Sequence, residues 1–358
     1  MSMKLLTFIL TVSCALTAVC FCQERLTGVI QGAKFQVDLP AEPGGRLLML
    51  AHGYRPEGLP VEADVGSSHG LSKKLVADGW AVASTSYRRN GWIMEDAAED
   101  IIQLHDWILR ETDFEPSAVY LMGNSMGGGI STWLAEHEPE RFDGVLAMGA
   151  YLFEPIGASG ESSTTLADYY NGLPRIPVLF LTNTSELDGP ATYVKLSEGA
   201  TVPPVLWTIH RDGHVNQNEA EQAAGLMGLV DWVEKGEVVA GRDATIALHP
   251  DSTVSFSEGE AIGRALTLVP VYGNFITNFV SADMQALGIE HGDYFQMRTG
   301  EHVLRVKLGR TYTDVPVGDW VGFWDAQGYL LICRNYKDAV ATLGLKADDR
   351  IVVRALDQ

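Results

Sequence analysis

From about residue 25 to 238, short apolar runs alternate with stretches whose apolar residues recur at helical spacing. The runs "RLLMLAHG", "AVASTSY", "AVYLMG", "GVLAMGA", "PVLFLT" and "PVLWTIH" are predicted to be buried strands. Between them, "HGLSKKLVADGW" and "AAEDIIQLHDWILRE" are predicted helices, the second with Ile101, Leu104 and Ile108 on one face. Another helix carries Ile130, Trp133 and Leu134, and "NEAEQAAGLMGLVDWVEKG" closes the unit with Gly236 as its C-cap. Strands that alternate with helices imply an α/β fold: a doubly wound, mainly parallel sheet covered on both faces. After "GEVVAGRDAT" the pattern changes to short β-rich runs separated by Gly, Asp and Asn turns, with one short helix in "KDAVATLGL". That texture predicts a small C-terminal all-β barrel. The expected division is an α/β domain over 23–238, a linker over 239–261 and a barrel over 262–358. At 358 residues, two domains are the natural expectation.

The first 22 residues stand outside this scheme. "MSMKLLTFILTVSCALTAVCFC" has one lysine, a short apolar stretch and small residues near its end, the pattern of a cleaved secretory signal. Cleavage after Cys20 or Cys22 leads to a secreted or periplasmic protein. Three of the four cysteines lie in this leader, so the mature chain keeps only Cys333 and must be held by its core rather than by an internal disulfide. No later segment is long and apolar enough for stable membrane insertion. A net charge of −20, with no basic cluster beyond Arg88-Arg89, argues against nucleic acid as a partner.

One junction carries chemistry. In "VYLMGNSMGGGISTWLAEHEPERF" an apolar strand ends at Gly123, Ser125 follows, and a helical pattern starts at once. A serine hydroxyl is a poor nucleophile unless it is lifted clear of the backbone, toward a base and an oxyanion site. A tight strand–turn–helix does this, and small residues two before and two after the serine, here Gly123 and Gly127, let helix and strand approach closely. Upstream, "LMLAHGYRPEG" puts Tyr54 just after a strand, so the amides of Tyr54 and Met126 are the expected oxyanion donors. Downstream, "LFLTNTSELDGPATY" offers Glu186 and Asp188, and "WTIHRDGHVNQNEAE" offers His210 and His214. His214, in a Gly-His loop, is preferred as base. Asp188, deeper in a loop marked by Gly189 and Pro190, is preferred over Glu186 as the acid that orients it. No set of His, Cys, Asp or Glu has metal-binding spacing. Tyr54, Trp92, Tyr169 and Tyr170 are candidates for a substrate pocket or for plain packing, and 152–174 is the expected lid.

In "HGY", "GNSMGGG", "ELDGP" and "DGH", taken in that order, the chain resembles the α/β-hydrolase superfamily over roughly 40–236. The "SMGGG" run is also similar to secreted cutinase-like and feruloyl-esterase-like members. The resemblance implies a serine carboxylesterase that works through an acyl-enzyme, without metal or organic cofactor, on a small-molecule or polymeric ester.

Residues 262–356 resemble a different family. Gly273-Asn274…Thr277-Asn278, Tyr312-Thr313-Asp314-Val315, Gly328-Tyr329-Leu330 and Asn335…Ala339 are similar to the C-terminal barrel of the S-adenosylmethionine hydroxide adenosyltransferases and fluorinases. The pattern departs at Asp325-Ala326 and at Lys337-Asp338, and that family's N-terminal domain is absent. The resemblance implies a homo-oligomer, in particular a trimer, with the barrel in assembly or substrate presentation. Two other readings are a nucleoside- or adenosyl-ester hydrolase and an inactive hydrolase-fold binding protein. A peptidase would use the same residues.

Overall fold

The computed structural model describes residues 24–63, 69–152, 170–269 and 271–356. The leader and most of the expected lid, with Tyr169, lie outside these residues. The N-terminal domain is built on an eight-stranded sheet. Its first two strands, β1 (Glu24–Ile30) and β2 (Ala33–Leu39), form an antiparallel hairpin that the alternation pattern does not announce. Gln31 and Gly32 turn it with both φ values positive, at 46° and 95°. That conformation matches the twist of the paired strands. The other strands are those read from the sequence: β3 (Arg46–Ala51), β4 (Trp80–Thr85), β5 (Ala118–Asn124), β6 (Gly144–Met148), β7 (Val178–Asn183) and β8 (Val205–Ile209). They lie in the order β1-β2-β4-β3-β5-β6-β7-β8. From β4 to β8 every pairing is parallel.

Strands covered on both faces must be apolar throughout, and β4, β6 and β7 are buried at every residue. On one face pack α2 (Met94–Glu111) and α3 (Met126–His137), whose Ile101, Leu104, Ile108, Ile130 and Leu134 share a core with Leu47, Leu121 and Phe180. On the other face pack α1 (His69–Ala77) and α5 (Glu219–Lys235) against Leu48, Leu146 and Leu179. Between β7 and β8 a further helix, α4 (Asp188–Leu196), sets Tyr193 into the first core. Helix α5 starts on a capping box: the Asn218 side chain accepts from the Glu221 amide and the Glu221 carboxylate accepts from that of Asn218. It ends at Gly236 in the left-handed region, as read from the sequence.

The connecting segment is laid against the sheet. The Thr208 amide donates to the Arg242 carbonyl, and the Ala244 amide returns a bond to the Thr208 carbonyl, both at 2.9 Å. The Trp207 indole N–H donates to the Val239 carbonyl at 2.6 Å. The second domain begins with β9 (Ser255–Ser257), inside the segment read as linker, and β10 (Glu260–Val269), whose first two residues fall there. It continues with β11 (Asn274–Val280), β12 (Tyr294–Thr299), β13 (His302–Leu308), β14 (Trp320–Trp324), β15 (Tyr329–Arg334) and β16 (Arg350–Ala355). Because β10 pairs with both β11 and β16, seven strands close into a barrel, with β9 added at the β10 edge. Closure leaves no open edge along the ring. Two short helices, α6 (Ser281–Ala286) and α7 (Ala339–Leu343), cap it, the second in the expected "KDAVATLGL" segment.

Cys333, on β15, is fully buried beside Val321 and Phe323. Burial pushes its thiol well above the usual range, and the S–H faces the Val321 carbonyl at 3.6 Å. The thiolate is the reactive form. Iodoacetamide should therefore leave Cys333 unmodified in the folded protein and alkylate it after denaturation; labelling followed by peptide mass spectrometry checks this.

Candidate active site

Parallel strands deliver their C-terminal ends to one edge of the sheet, and the site is assembled there from the loops after β3, β5, β7 and β8. Ser125 stands between β5 and α3 with φ 55° and ψ −121°. Few residues other than glycine adopt positive φ, and such strain is held only where the surroundings enforce it. Here they do. A side chain at Gly127 would run into the Ala51 carbonyl at the end of β3, and one at Gly123 would strike the Gly127 carbonyl. Helix and strands therefore meet backbone to backbone. The Ser125 amide donates to the Met148 carbonyl at 3.0 Å, and the Ser125 carbonyl accepts from the Gly129 and Tyr151 amides at 3.1 and 2.9 Å. The turn is tied to β6 and to its own helix.

The Ser125 Oγ lies 2.7 Å from His214 Nε2. On the other side of the ring, His214 Nδ1 makes a short hydrogen bond to Glu186 Oε2. A carboxylate only accepts, so Nδ1 carries the proton and Nε2 is left to accept from the serine hydroxyl. Glu186 Oε1 accepts from the Val215 amide at 3.1 Å, which fixes the carboxylate plane. The three groups form a continuous hydrogen-bonded chain from hydroxyl to imidazole to carboxylate.

Asp188, the acid preferred from the sequence, is not in this hydrogen-bonded chain. Chain direction explains the difference. After β7 the backbone makes a 3-10 turn over Thr184–Glu186, which returns the Glu186 side chain toward the β8 loop. Asp188 is already the first residue of α4, exposed at its N-terminus, where the helix dipole favours an acid. Gly189-Pro190, read as a loop turn, lies inside the first turn of that helix, where proline costs no hydrogen bond.

The loop that carries His214 is heavily braced. Asn183, buried at the end of β7, donates from Nδ2 to the Arg211 and Asn216 carbonyls, both at 3.1 Å. Its Oδ1 accepts from the Asn216 amide at 2.9 Å. Ser185 Oγ exchanges hydrogen bonds with the carbonyl and amide of Gly213 at 2.8 and 2.9 Å. Arg211 forms a bidentate pair with the fully buried Glu221 at 2.8 and 2.9 Å. Val215, next to His214, is held at φ 52°, a strained state for a β-branched residue. These bracing residues escape a motif search because each acts through backbone geometry. Their signal is a clustering of asparagines, at the end of β7 in "LTNTSE" and just before α5 in "HVNQNE".

The two expected oxyanion donors, Met126 and Tyr54, lie in the segments that border the Ser125 turn. Met126 is the first residue of α3, where an amide has no intrahelical acceptor. Tyr54 follows Gly53, where an added Cβ would come within 3.0 Å of the Ser125 Cβ. His52 binds the Gly53 and Ser86 carbonyls at 2.7 and 3.1 Å and stacks against Tyr87, a structural position. His210 is exposed beside Asp243, away from the hydrogen-bonded chain. Trp92 packs edge-on to Tyr151, Tyr170 is buried against Tyr193, and Tyr54 is 41% exposed. Among the described residues, no group of three or more His, Cys, Asp or Glu is placed to hold a metal.

Residues 66–201, which contain Ser125 and Glu186, match the family model described as alpha/beta hydrolase fold. The N-terminal domain has the α/β-hydrolase fold. Residues 269–352 match the SAM hydroxide adenosyltransferase C-terminal domain. No curated protein matches the chain. Among solved structures, an esterase/lipase from an uncultured bacterium is 15% identical, over 52% of this chain and 74% of its own, with a TM-score of 0.40. A dienelactone hydrolase from Anabaena variabilis is 16% identical over 60% of this chain and 97% of its own, with a TM-score of 0.43. An uncharacterized conserved protein from Thermotoga maritima is 22% identical over 31% of this chain, with a TM-score of 0.27. The match spans only 40% of that protein's length.

The N-terminal domain thus places Ser125 and His214 in hydrogen-bond contact, and Glu186 rather than Asp188 is the carboxylate hydrogen-bonded to His214. Glu186→Ala should slow reaction of Ser125 with a fluorophosphonate probe by about 10³-fold or more, while Asp188→Ala stays within about threefold. Labelling rates of the two variants against the parent protein decide it.

Proposed function

We propose that the chain is a serine hydrolase of carboxylic esters, with Ser125 as nucleophile, His214 as general base and acid, and Glu186 as the orienting carboxylate. The observation that carries this reading is the continuous hydrogen-bonded chain Ser125–His214–Glu186 on a strained strand–helix turn. In the first half-reaction, Ser125 Oγ attacks the ester carbonyl carbon as its proton passes to His214 Nε2. The Glu186 carboxylate stabilises the imidazolium that forms. The carbonyl oxygen becomes an oxyanion facing the amides of Tyr54 and Met126, and each such donor is worth about 2.7–4 kcal/mol in the transition state. Collapse expels the alcohol, which takes the proton from His214 and leaves an acyl-Ser125. Water, deprotonated by His214, repeats the sequence and releases the acid.

The same residues cleave amides. The ester reading is preferred because the "SMGGG" turn resembles that of secreted esterases. The apolar leader supports export, and the second domain is read as an accessory or assembly module. Hydrolysis of p-nitrophenyl esters from acetate to palmitate, with hydroxycinnamate esters alongside, tests the proposal. Turnover by the parent protein and a loss of about a thousandfold or more in Ser125→Ala are expected. Equal rates in the two proteins would remove the serine mechanism.

A further inference from the structure

The loop that carries His214 touches three bodies, and one of them is the C-terminal barrel. Asn216 is buried, and its side-chain amide spends both hydrogens on carbonyls. One goes to Asp212 at 2.7 Å, closing the loop around His214, and the other crosses to Trp324 of the barrel at 2.8 Å. Two residues on, Asn218 Nδ2 reaches the Ala326 carbonyl at 3.4 Å as well as the Ile246 carbonyl at 2.8 Å. At the rim, Arg310 of the barrel pairs with Asp212 at 3.3 Å. The carbonyls of Trp324 and Ala326 flank Asp325 at the start of the tight turn between β14 and β15. That turn is shaped by the buried side chain of Asp325, whose Oδ1 accepts from the amides of Gln327 and Tyr329 at 2.9 and 2.8 Å. Asp325-Ala326 is also where the sequence leaves the pattern of the family that the barrel resembles.

We infer that the barrel is a working part of the hydrolase site: its β14–β15 turn clamps the base loop through Asn216 and Asn218 and so positions His214 against Ser125. Val215 beside the base is held in a left-handed conformation that a β-branched residue leaves readily. Strain of this kind persists only where neighbouring groups over-determine it. The brace from β7 and the Arg211–Glu221 pair hold one side of the loop, and the barrel carbonyls hold the other. Asp325 and Asn216 are positioning residues that act through the loop. A small displacement of the imidazole costs rate at the chemical step while leaving substrate contacts in place.

This inference rests on the serine-hydrolase reading, and the test separates the two. Asp325→Ala, on the barrel side, removes the acceptor that shapes the turn together with the negative charge that acts on Arg211. Asp325→Asn keeps that acceptor, and Asn216→Ala removes the crossing bond from the loop side. In the full chain, with folding checked by thermal melting, Asp325→Ala and Asn216→Ala should each lower kcat on p-nitrophenyl acetate by about ten- to a hundredfold. KM should stay within about twofold, and Asp325→Asn should restore most of the rate. The rate of Ser125 labelling by a fluorophosphonate should fall in parallel, which gives a second readout independent of substrate choice. Unchanged kcat and labelling in folded Asp325→Ala would overturn the clamp while leaving the serine mechanism standing. So would an equal loss in Asp325→Asn, which would assign the effect to the Asp325 charge acting on Arg211 rather than to the turn-shaping hydrogen bonds. A parent protein that neither turns over ester nor labels at Ser125 would remove both readings.

Discussion

The contact on which the site depends is a meeting of backbones with no side chain between them. At the C-terminal edge of the sheet, α3 comes down so close to the ends of β3 and β5 that Gly127 lies against the Ala51 carbonyl and Gly123 against the Gly127 carbonyl. This approach forces Ser125 into positive φ and aims its hydroxyl away from both elements. It also brings the loop after β3 alongside, so that Gly53 lies against Ser125 and the Tyr54 amide follows at the edge of the site. The large core beneath supplies what the strain costs: strands buried on both faces and anchored by two separate apolar clusters do not yield to one unfavourable dihedral.

The opposite half of the site is held by polar groups. Asn183 satisfies four backbone or side-chain partners at the end of β7, and Arg211 is drawn in by a carboxylate, Glu221, that has no exposure to water. A buried ion pair of this kind contributes little net stability, because desolving both charges offsets their attraction. Its effect is geometric. Glu221 also completes the cap of α5 and accepts from the Ile246 amide. One carboxylate thus ties together the base loop, the helix after it and the segment that leads to the barrel. The two domains are joined through this network rather than by a loose tether.

Much of this was legible in the residues. The strand–helix alternation, the change of texture near the barrel, the Gly-x-Ser-x-Gly turn and the Gly-His loop all follow from local rules, because apolar period and turn chemistry act over a few residues. What escaped was non-local. Glu186 and Asp188 differ by two positions in one short segment, and the choice between them turns on where a 3-10 turn ends and α4 begins. The Gly-Pro pair that reads as a loop is equally at home in a first helical turn. The β1–β2 hairpin escaped because edge strand β1 alternates exposed and half-buried residues and β2 sets Lys34, Gln36 and Asp38 among its apolar ones, so neither has the continuous apolar run that marks the central strands.

By itself the sequence determined the order of α/β and β-rich segments, the doubly wound sheet, the strand–helix turn at Ser125 and the loop that carries His214. Each depends on periodicity or on a residue type that a backbone conformation demands. Only the tertiary structure decided which acid faces the base, which asparagines hold the loop, and that barrel carbonyls complete its support. Those outcomes rest on hydrogen bonds between groups 28 to 108 residues apart, whose partners are set by how the chain is packed and not by any local pattern.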